Sequence, residues 1–360
     1  MSTAPSQPVI PNPAHHLLGR TLEGAWSVVA SVPRSPTDTG GNFSVSYLVE
    51  HEDGRTAFLK ALDYSAALRR PDAARVLQAM TESYNFERDV LDDCERRGMS
   101  RIVRVYGSGT LLEPEFGHAV DYLIFEPAHG DVRRALDAMD AFDVTWALRA
   151  CHHAAVAVQQ LHSAQLAHQD VKPSNLLVFD DGLAKLGDLG RSSRRGTAAP
   201  HDALAVRGDP AYAPPELLYG HVDPDWRMRC QACDVYLLGS LILFIFTRTQ
   251  TTAELMRRLP MALRPPKYRG SFAGTYADAL PYLVNAFDEV AESFIAQLRG
   301  QRAAELAEHF RALCHPDLAQ RGDAIQRRRG LNPYELRRVI SRLDVLTREA
   351  QAGFLRRTVS

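Results

Sequence analysis

The residues best suited to chemistry lie in one short stretch and shortly after it. The stretch is His168-Gln169-Asp170-Val171-Lys172-Pro173-Ser174-Asn175, and Gly187-Asp188-Leu189-Gly190 follows. Together they supply two carboxylates, an amide and an ammonium group. A metal-bound triphosphate needs such a set, because Mg²⁺ prefers hard oxygen ligands, the moving phosphate needs a positive charge, and a carboxylate can orient the attacking hydroxyl. The pattern therefore predicts phosphoryl transfer.

A predicted β-hairpin brings these groups together. Residues 176–179 and 183–186 are short apolar runs, and the turn Asp180-Asp181-Gly182 between them ends in a glycine, which tolerates positive φ. The two ends of a hairpin lie side by side. Asn175 and Asp188 should therefore be neighbours.

The chain before this stretch has the pattern of a small sheet with one helix. Residues 44–49, 57–62, 101–106 and 122–125 have the composition of strands. Apolar side chains recur at helical spacing over residues 73–97. We expect one helix to pack on this sheet.

From Asp143 onward the pattern becomes mainly helical. The longest apolar run, residues 235–246, is too short to cross a hydrocarbon layer of ~30 Å, which takes about 20 residues. It is expected to form a buried helix. Strands followed by helices predict an α+β fold class.

The chemical stretch resembles the HRDxKxxN and DFG motifs of eukaryotic-like (Hanks-type) Ser/Thr protein kinases, in their bacterial form. The resemblance implies a bilobal fold, with a β-rich N-lobe carrying one main helix and a larger, mainly helical C-lobe. We expect a flexible Pro-rich arm over residues 1–21, the N-lobe over 22–126, the C-lobe over 127–348 and a C-terminal tail over 349–360.

The resemblance also implies roles for the side chains of the stretch. Asp170 would accept or align the proton of the substrate hydroxyl, and Lys172 would neutralise charge on the γ-phosphate of ATP. Asn175 and Asp188 would hold Mg²⁺, with Mn²⁺ as an alternative. Lys172 at two residues after Asp170 is typical of the Ser/Thr-specific branch of the family.

Lys60 matches the family's lysine that contacts the α- and β-phosphates. It lies on the predicted strand 57–62, and its expected partner is a glutamate of the following helix. Glu87 is the preferred partner. Glu82 remains the alternative, because the turn after the helix is longer than usual.

The resemblance assigns further residues to the nucleotide. Gly40, Gly41 and Phe43 align with the phosphate-covering glycine loop, although Ser44 replaces its third glycine. Backbone groups of Glu126 and Ala128 would bind adenine after the gatekeeper Phe125, and Asp131 would lie near the ribose. The set expected to contact the nucleotide is Gly40, Gly41, Phe43, Lys60, Glu126, Ala128 and Asp131.

Residues 208–216 resemble the end of the family's activation segment. The resemblance implies that Glu216 forms a buried ion pair with Arg321, and that Asp234 anchors the backbone of the catalytic loop. Asp209 stands where these kinases commonly have a threonine. An aspartate there could still accept a hydrogen bond from Lys172.

Gln169 replaces the arginine that binds an activation-segment phosphate in many relatives. We therefore predict that activity does not strictly require phosphorylation of the segment. Ser192, Ser193 and Thr197 lie beside several arginines and are candidate autophosphorylation sites. Loss of all turnover in a variant lacking these three hydroxyls would contradict the prediction.

Composition narrows the range of functions. The formal net charge of −1 gives no overall attraction to nucleic acid or to an anionic membrane. Five cysteines, an odd number, without a secretory start predict a reducing cytoplasm. Cys230 and Cys233 form one CxxC pair without evident partners for zinc, which favours buried thiols.

The sequence thus predicts an ATP-dependent kinase that phosphorylates Ser or Thr of protein substrates and of itself. Two alternatives remain open. A pseudokinase that binds ATP and acts as a scaffold would account for the weak glycine loop and for Asp209. A small-molecule phosphotransferase shares the spacing from Asp170 to Asn175.

Overall fold

The structure, a computed structural model, describes residues 12–33, 44–113, 118–180, 182–298 and 303–359. The chain divides into two compact units. The first comprises Met1–Arg96 and Val103–Ala128, and the second comprises Arg97–Ile102 and His129–Ser360. The first unit is β-rich and the second is mainly helical, which confirms the predicted α+β class. The first unit ends at Ala128, whereas the N-lobe was predicted to end at residue 126. Residues 97–102 belong to the second unit.

The first unit contains a six-stranded antiparallel sheet and two helices. Its strands lie in the order β1-β2-β3-β4-β6-β5. They are β1 Thr21–Leu22, β2 Trp26–Val32, β3 Ser44–His51, β4 Thr56–Leu62, β5 Val105–Glu113 and β6 His118–Phe125. The helices are α1 Ser65–Leu68 and α2 Ala73–Arg96. The helix predicted over residues 73–97 is confirmed.

The alternation of side chains in β4 positions the site lysine. Ala57, Leu59 and Ala61 are fully buried in the core of the first unit. Because successive side chains of a strand point to opposite faces, Lys60 is directed to the other face of the sheet. The turn before β4 contains Gly54 with φ of 86°, a conformation that favours glycine.

One predicted strand of this sheet was misplaced, and one strand was missed. Residues 101–104 are not a strand, because β5 begins at Val105 and Ile102 forms only an isolated bridge with Leu186 of the second unit. Strand β2, Trp26–Val32, was not predicted. Its outer half is exposed, so its sequence lacks a regular apolar alternation.

The flexible arm predicted over residues 1–21 is wrong for residues 12–21. Pro13–His15 form a 3₁₀ turn in which the side-chain carbonyl of Asn12 accepts the backbone N–H of Ala14 at 3.1 Å. Ala14 and Leu17 are buried in the core of the first unit, and the Tyr47 hydroxyl donates to the Ala14 carbonyl at 2.7 Å. These residues are held because Leu17 fills apolar space that the sheet leaves open. Residues 1–11 lie outside the described residues.

The second unit is built mainly of helices. They are α3 Val132–Asp137, α4 Val144–Ser163, α5 Pro215–Leu218, α6 Ala232–Thr247, α7 Thr251–Arg258, α8 Tyr276–Gln297, α9 Ala303–Cys314, α10 Ala324–Arg328 and α11 Arg337–Val359. Its short strands are β7 Gly130–Asp131, β8 Leu166–Ala167, β9 Leu176–Val178, β10 Ala184–Leu186 and β11 Ser193–Arg194. The β9–β10 pair confirms the predicted hairpin.

Helix α6 forms the centre of the second unit. It continues a π-helical turn, Arg227–Gln231, and the combined helix is long and apolar enough to cross a membrane. However, 89% of its most apolar window is buried inside the protein. The prediction of a buried helix is therefore confirmed.

Most of the predicted C-terminal tail, residues 349–360, is helical. Helix α11 runs without interruption from Arg337 to Val359 and packs against α4. Helix-forming residues dominate this stretch, it contains no proline, and Gly353 is its one glycine. Local propensity therefore extends the helix past the expected boundary.

The packed N-terminal residues give a test of the first unit. Leu17→Ala should lower the free energy of unfolding by about 2–5 kcal/mol, because it leaves a cavity in the core. Leu18→Ala is the matched control, because that neighbour is 59% exposed. Urea unfolding followed by tryptophan fluorescence measures both. Equal effects of the two substitutions would contradict the packing described here.

Candidate active site

The catalytic loop, residues 168–175, is hydrogen-bonded to Asp234 in the first turn of α6. The backbone N–H groups of His168 and Gln169 each donate to the Asp234 carboxylate at 2.7 Å. Asp234 is fully buried, and the ring Nε2 of His162 lies 3.0 Å from the same carboxylate. The expected anchor role of Asp234 is confirmed.

Gln169 has a left-handed backbone with φ of 66°. A residue with a Cβ atom pays about 1–3 kcal/mol for such a conformation, so surrounding contacts must hold it. Its side-chain amide donates to the carbonyl of Cys230 at 2.8 Å and to Asp234 at 3.1 Å. These contacts fix the backbone directly before Asp170.

The Asp170 carboxylate accepts three hydrogen bonds from named donors. Oδ2 lies 2.9 Å from the Lys172 ammonium and 3.0 Å from the Asn175 amide nitrogen. Oδ1 accepts the backbone N–H of Asp209 at 2.7 Å. Asp170, Lys172 and Asn175 are all buried. Three of the predicted catalytic and metal residues therefore lie in one cluster.

Burial and charge act in opposite directions on the titrating pair. Burial raises the pKa of Asp170 above its ordinary value, and Asp188 adds to the rise, while Lys172 opposes it. Burial alone would lower the pKa of Lys172, but the carboxylates of Asp170, Asp209 and Asp188 raise it above the ordinary value. Lys172 is therefore a fixed positive charge at neutral pH.

The β9–β10 hairpin places Asn175 beside the second acid. The N–H of Gly187 donates to the Asn175 carbonyl at 2.9 Å, which confirms that Asn175 and Asp188 are neighbours in space. The His168 ring links the loop around Asp170 to the residue after β10, because its Nε2 lies 2.9 Å from the Gly187 carbonyl and its Nδ1 accepts the Asp170 N–H at 3.2 Å. Asp188 has φ of 58°, a second left-handed residue at the site.

The oxygen ligands that Asn175 and Asp188 can supply fit Mg²⁺. The Asn175 amide nitrogen donates to the backbone carbonyl and to the carboxylate of Asp170, so its orientation is fixed and its Oδ1 remains as a metal ligand. Asp188 supplies a carboxylate. Mg²⁺ commonly takes only one or two protein carboxylates and completes its shell with phosphates and water. Among the described residues, no three His, Cys, Asp or Glu side chains form a metal-binding group.

In the first unit, Lys60 pairs with Glu87. The Lys60 ammonium lies 3.3 Å from Oε2 of Glu87, and both side chains are largely buried. The alternative partner, Glu82, is exposed and accepts from the side chain of Gln78 at 2.8 Å instead. The structure therefore selects Glu87 as the residue that contacts Lys60.

The other residues assigned to the nucleotide stay predictions. Gly40, Gly41 and Phe43 lie outside the described residues. The backbone N–H of Glu126 donates to the Arg104 carbonyl at 3.1 Å, so the expected adenine contact of this residue falls to its carbonyl. Ala128 is half-buried at the end of the first unit.

Asp131 has a structural contact of its own. Its carboxylate caps α3 by accepting the backbone N–H of Arg134 at 2.9 Å. Capping satisfies an N–H group that has no partner inside the helix. The ribose contact implied by the resemblance is an additional role and stays a prediction.

The segment after Asp188 approaches the catalytic loop closely at Gly208. A Cβ atom there would lie 2.3 Å from the Gln169 carbonyl oxygen and 2.6 Å from Oδ1 of Asp170. Only glycine fits this approach. The Asp209 carboxylate lies 3.8 Å from the Lys172 ammonium, which is an ion pair rather than the hydrogen bond considered from the sequence.

The end of this segment is anchored by the predicted ion pair. The Arg321 guanidinium forms a bidentate pair with Glu216 at 2.6 and 2.8 Å. Arg321 is fully buried, and it also donates to the carbonyl groups of His315 and Ala232. The expected Glu216–Arg321 pair is confirmed.

Two of the three candidate autophosphorylation sites are buried. Ser192 is fully buried and Ser193 is 1% exposed. The Ser193 hydroxyl accepts from the Trp226 indole at 3.1 Å. In this conformation neither hydroxyl is accessible to a second kinase molecule. Thr197 is exposed and stays a candidate.

Two further residues of the segment contact the site and were not identified from the sequence. Arg207 donates to the side-chain carbonyl of Gln169 at 2.9 Å, and Asp202 pairs with Arg207 at 3.2 Å. Arg207 directly precedes Gly208. Two features of the sequence could have identified Arg207: it is an arginine directly before Gly208, and position 169 lacks the arginine found in many relatives.

Cys230, in the π-helical turn before α6, and Cys233, in the first turn of α6, are buried, free thiols, as favoured from the sequence. Burial raises the pKa of both thiols. The thiolate, which is the metal ligand and nucleophile, is therefore disfavoured at both positions.

Comparison with known proteins identifies the family to which this geometry is related. The family model described as protein kinase domain matches residues 39–264. A protein of Bifidobacterium longum named "Probable serine/threonine-protein kinase pknA2" is 25% identical over 198 residues, which are 55% of this chain and 24% of that protein. An Aurora kinase of Debaryomyces hansenii is 27% identical over 202 residues, 56% of this chain and 44% of the relative.

A third relative is CBL-interacting protein kinase 22 of Oryza sativa subsp. japonica. It is 32% identical over 188 residues, 50% of this chain and 38% of the relative. The chain thus spans less than half the length of each of these three relatives.

The Glu216–Arg321 pair gives a test of the anchor. Arg321→Met should lower the free energy of unfolding by about 3–5 kcal/mol, because it leaves a buried carboxylate without its partner. Arg338→Met is the control, because Arg338 is 57% exposed and its pair with Asp323 should contribute no more than about 1 kcal/mol. Urea unfolding compares the two variants. An effect of Arg321→Met as small as that of the control would refute the anchor.

Proposed function

The chain belongs to the protein kinase family, and on that premise we propose that it transfers the γ-phosphate of ATP to Ser or Thr side chains of protein substrates. The buried cluster of Asp170, Lys172 and Asn175 is the observation that carries the proposal. It combines a carboxylate acceptor, a fixed cation and a metal-binding amide in the loop that leads into the β9–β10 hairpin. Phosphoryl transfer depends almost entirely on positioning and charge stabilisation of this kind.

Each side chain has a defined task in the proposed reaction. Asp170 orients the attacking hydroxyl and accepts its proton, while the Lys172 ammonium stabilises negative charge on the transferred group. Asn175 and Asp188 hold Mg²⁺, or Mn²⁺ as an alternative. The metal, when bound, neutralises phosphate charge. In the first unit, Lys60 binds the α- and β-phosphates.

The Glu87 carboxylate has a positioning task. Its ion pair with Lys60 holds the ammonium group on the face of the sheet opposite to the buried residues Leu59 and Ala61. The pair limits the rotamers of a long, flexible side chain, so less entropy is lost when the phosphates bind.

Protein substrates are favoured over small molecules by the segment from Gly208 to Glu216. The buried Glu216–Arg321 pair fixes the end of this segment, and Gly208 and Asp209 lie against Asp170. A fixed backbone beside the phosphate acceptor suits an extended peptide. Lys172 at two residues after Asp170 supports Ser and Thr as acceptors.

The proposal extends to the chain itself and to its surroundings. Thr197 is the exposed hydroxyl among the three candidate autophosphorylation sites. We further propose a cytoplasmic location, supported by five free, buried cysteines. Binding to nucleic acid or membrane is not part of the proposal, because the net charge of −1 favours neither.

The role of Asp170 is testable by a change that keeps its size. Asp170→Asn should lower kcat by about 10²–10⁴-fold, because the amide cannot accept the hydroxyl proton. Transfer from labelled ATP with Mg²⁺ to a generic basic protein measures it, and Asp344→Asn on α11 is the surface control. A variant that keeps most of its rate would show that Asp170 is not the acceptor. Bound nucleotide without transfer by the wild type would favour the pseudokinase.

The Lys60 partner is testable with a pair of glutamates on one helix. Glu87→Gln should lower kcat/KM for ATP by about 10- to 100-fold, because the neutral amide no longer fixes Lys60. Glu82→Gln should leave the value unchanged, because Glu82 is exposed and bonded to Gln78. Initial rates over a range of ATP concentrations give both values. The reverse order of effects would identify Glu82 as the partner.

A further inference from the structure

A buried arginine connects the segment after Asp188 to the catalytic loop. Its Nη1 donates to the side-chain carbonyl of Gln169 at 2.9 Å, and its Nη2 lies 3.2 Å from Oδ1 of Asp202. The arginine is Arg207, and its side chain is only 6% exposed. We name the set Gln169, Asp202 and Arg207 the Arg207 network.

The Asp202 end of the network orders the segment locally. Oδ2 of Asp202 accepts the backbone N–H of Ala199 at 2.8 Å, and Oδ1 lies 3.4 Å from the Ser193 hydroxyl. Ser193 in turn accepts from the Trp226 indole. The Asp202 carboxylate therefore contacts the Arg207 guanidinium and also two other residues of the segment, Ala199 and Ser193.

The other end of the network lies against the catalytic loop. Arg207, Gly208 and Asp209 are consecutive, and each contacts Gln169 or Asp170. Arg207 binds the Gln169 side chain, Gly208 fits against the Gln169 carbonyl, and the Asp209 N–H donates to Asp170. Displacement of Arg207 would therefore move the N–H group that orients the Asp170 carboxylate.

Charge balance explains why Asp202 is needed. A buried guanidinium requires a compensating anion, because an unpaired charge in this environment is strongly unfavourable. The Gln169 carbonyl and the Cys230 sulfur, 3.3 Å away, contact Arg207 but carry no formal charge. Asp202 is the carboxylate that pairs with it among the described residues.

The same balance accounts for Gln169. An arginine at position 169 would place a second guanidinium against Arg207, with Asp202 as the shared anion. A glutamine instead offers Arg207 a neutral acceptor and satisfies the Cys230 carbonyl with its amide. Gln169 and Arg207 therefore form a complementary pair.

We propose that Arg207 is a positioning residue for the transfer reaction, and that the Asp202 carboxylate supplies the anion it requires, so that Asp170 is held in place without a phosphate group on the segment. This inference rests on the proposed kinase function. It differs from that function in naming the contacts that arrange the site.

The kinetic experiment uses full-length protein treated with phosphatase and verified as unphosphorylated by intact mass. Asp202→Asn and Arg207→Met should each lower kcat by about 100-fold, because Asp170 loses its orientation. KM for ATP should stay unchanged, since Lys60 and Glu87 are untouched. The double variant should be no slower than either single one, because the two residues act as a unit.

Two further variants separate positioning from general damage. Asp202→Glu keeps the negative charge and should recover most of the rate that Asp202→Asn loses. Asp137→Asn is the matched control, because it removes an exposed ion pair with Arg248 of the same unit and should leave kcat within about twofold of the wild type. An unchanged kcat in Asp202→Asn overturns the inference. Wild type that gains activity only after phosphorylation does the same.

Hydrogen exchange gives a readout that does not depend on activity. In Asp202→Asn, amide exchange should become faster at Ala199 and also at Gln169 and Asp209, because the disturbance passes through Arg207. Faster exchange at Ala199 alone overturns the inference and leaves a local structural role. If the wild type transfers no phosphate, the kinase proposal fails, and these exchange rates still decide whether the network positions the catalytic loop.

Discussion

The catalytic loop of the second unit is organised around one buried carboxylate, Asp170, whose orientation the surrounding contacts fix. Asp170 and Lys172 are both almost inaccessible, and their ion pair is 2.9 Å long. Such a pair adds little net stability, because desolvation of both groups offsets their attraction. Its value lies in geometry. The Asn175 amide and the Asp209 N–H complete the set of donors, so that the carboxylate has few orientations left.

Contacts from the surrounding fold offset the free-energy cost of the unusual backbone conformations beside Asp170. Two residues with side chains, Gln169 and Asp188, have left-handed backbones beside Asp170. Both lie at the ends of short segments that are held elsewhere, by Asp234 of the apolar helix α6 and by the β9–β10 hairpin. A large buried core therefore maintains local conformations that isolated loops would not adopt.

Local patterns were sufficient to predict much of the site. The hairpin that joins Asn175 to Asp188 follows from two apolar runs and a turn. The sequence preferred Glu87 but left Glu82 open, and the structure decides between them because Glu87 contacts Lys60 while Glu82 contacts Gln78. Burial of Leu17 was not foreseen, since it depends on a sheet formed by residues far along the chain.

The packing of the segment after Asp188 was the least predictable feature of the site. The burial of Ser193 and the Asp202–Arg207 pair both depend on how this segment folds back on the catalytic loop, although Arg207 directly before Gly208 gave a partial signal.

The five cysteines give the molecule a practical property. All are free and buried, and burial raises the pKa of Cys151, Cys230, Cys233 and Cys314. Thiol reagents need an exposed thiolate, so the native fold shields every natural thiol from them. A single cysteine introduced on the surface would then be the one thiol of the folded protein that such reagents reach. Fluorophores or spin labels could be attached there without first removing any natural cysteine.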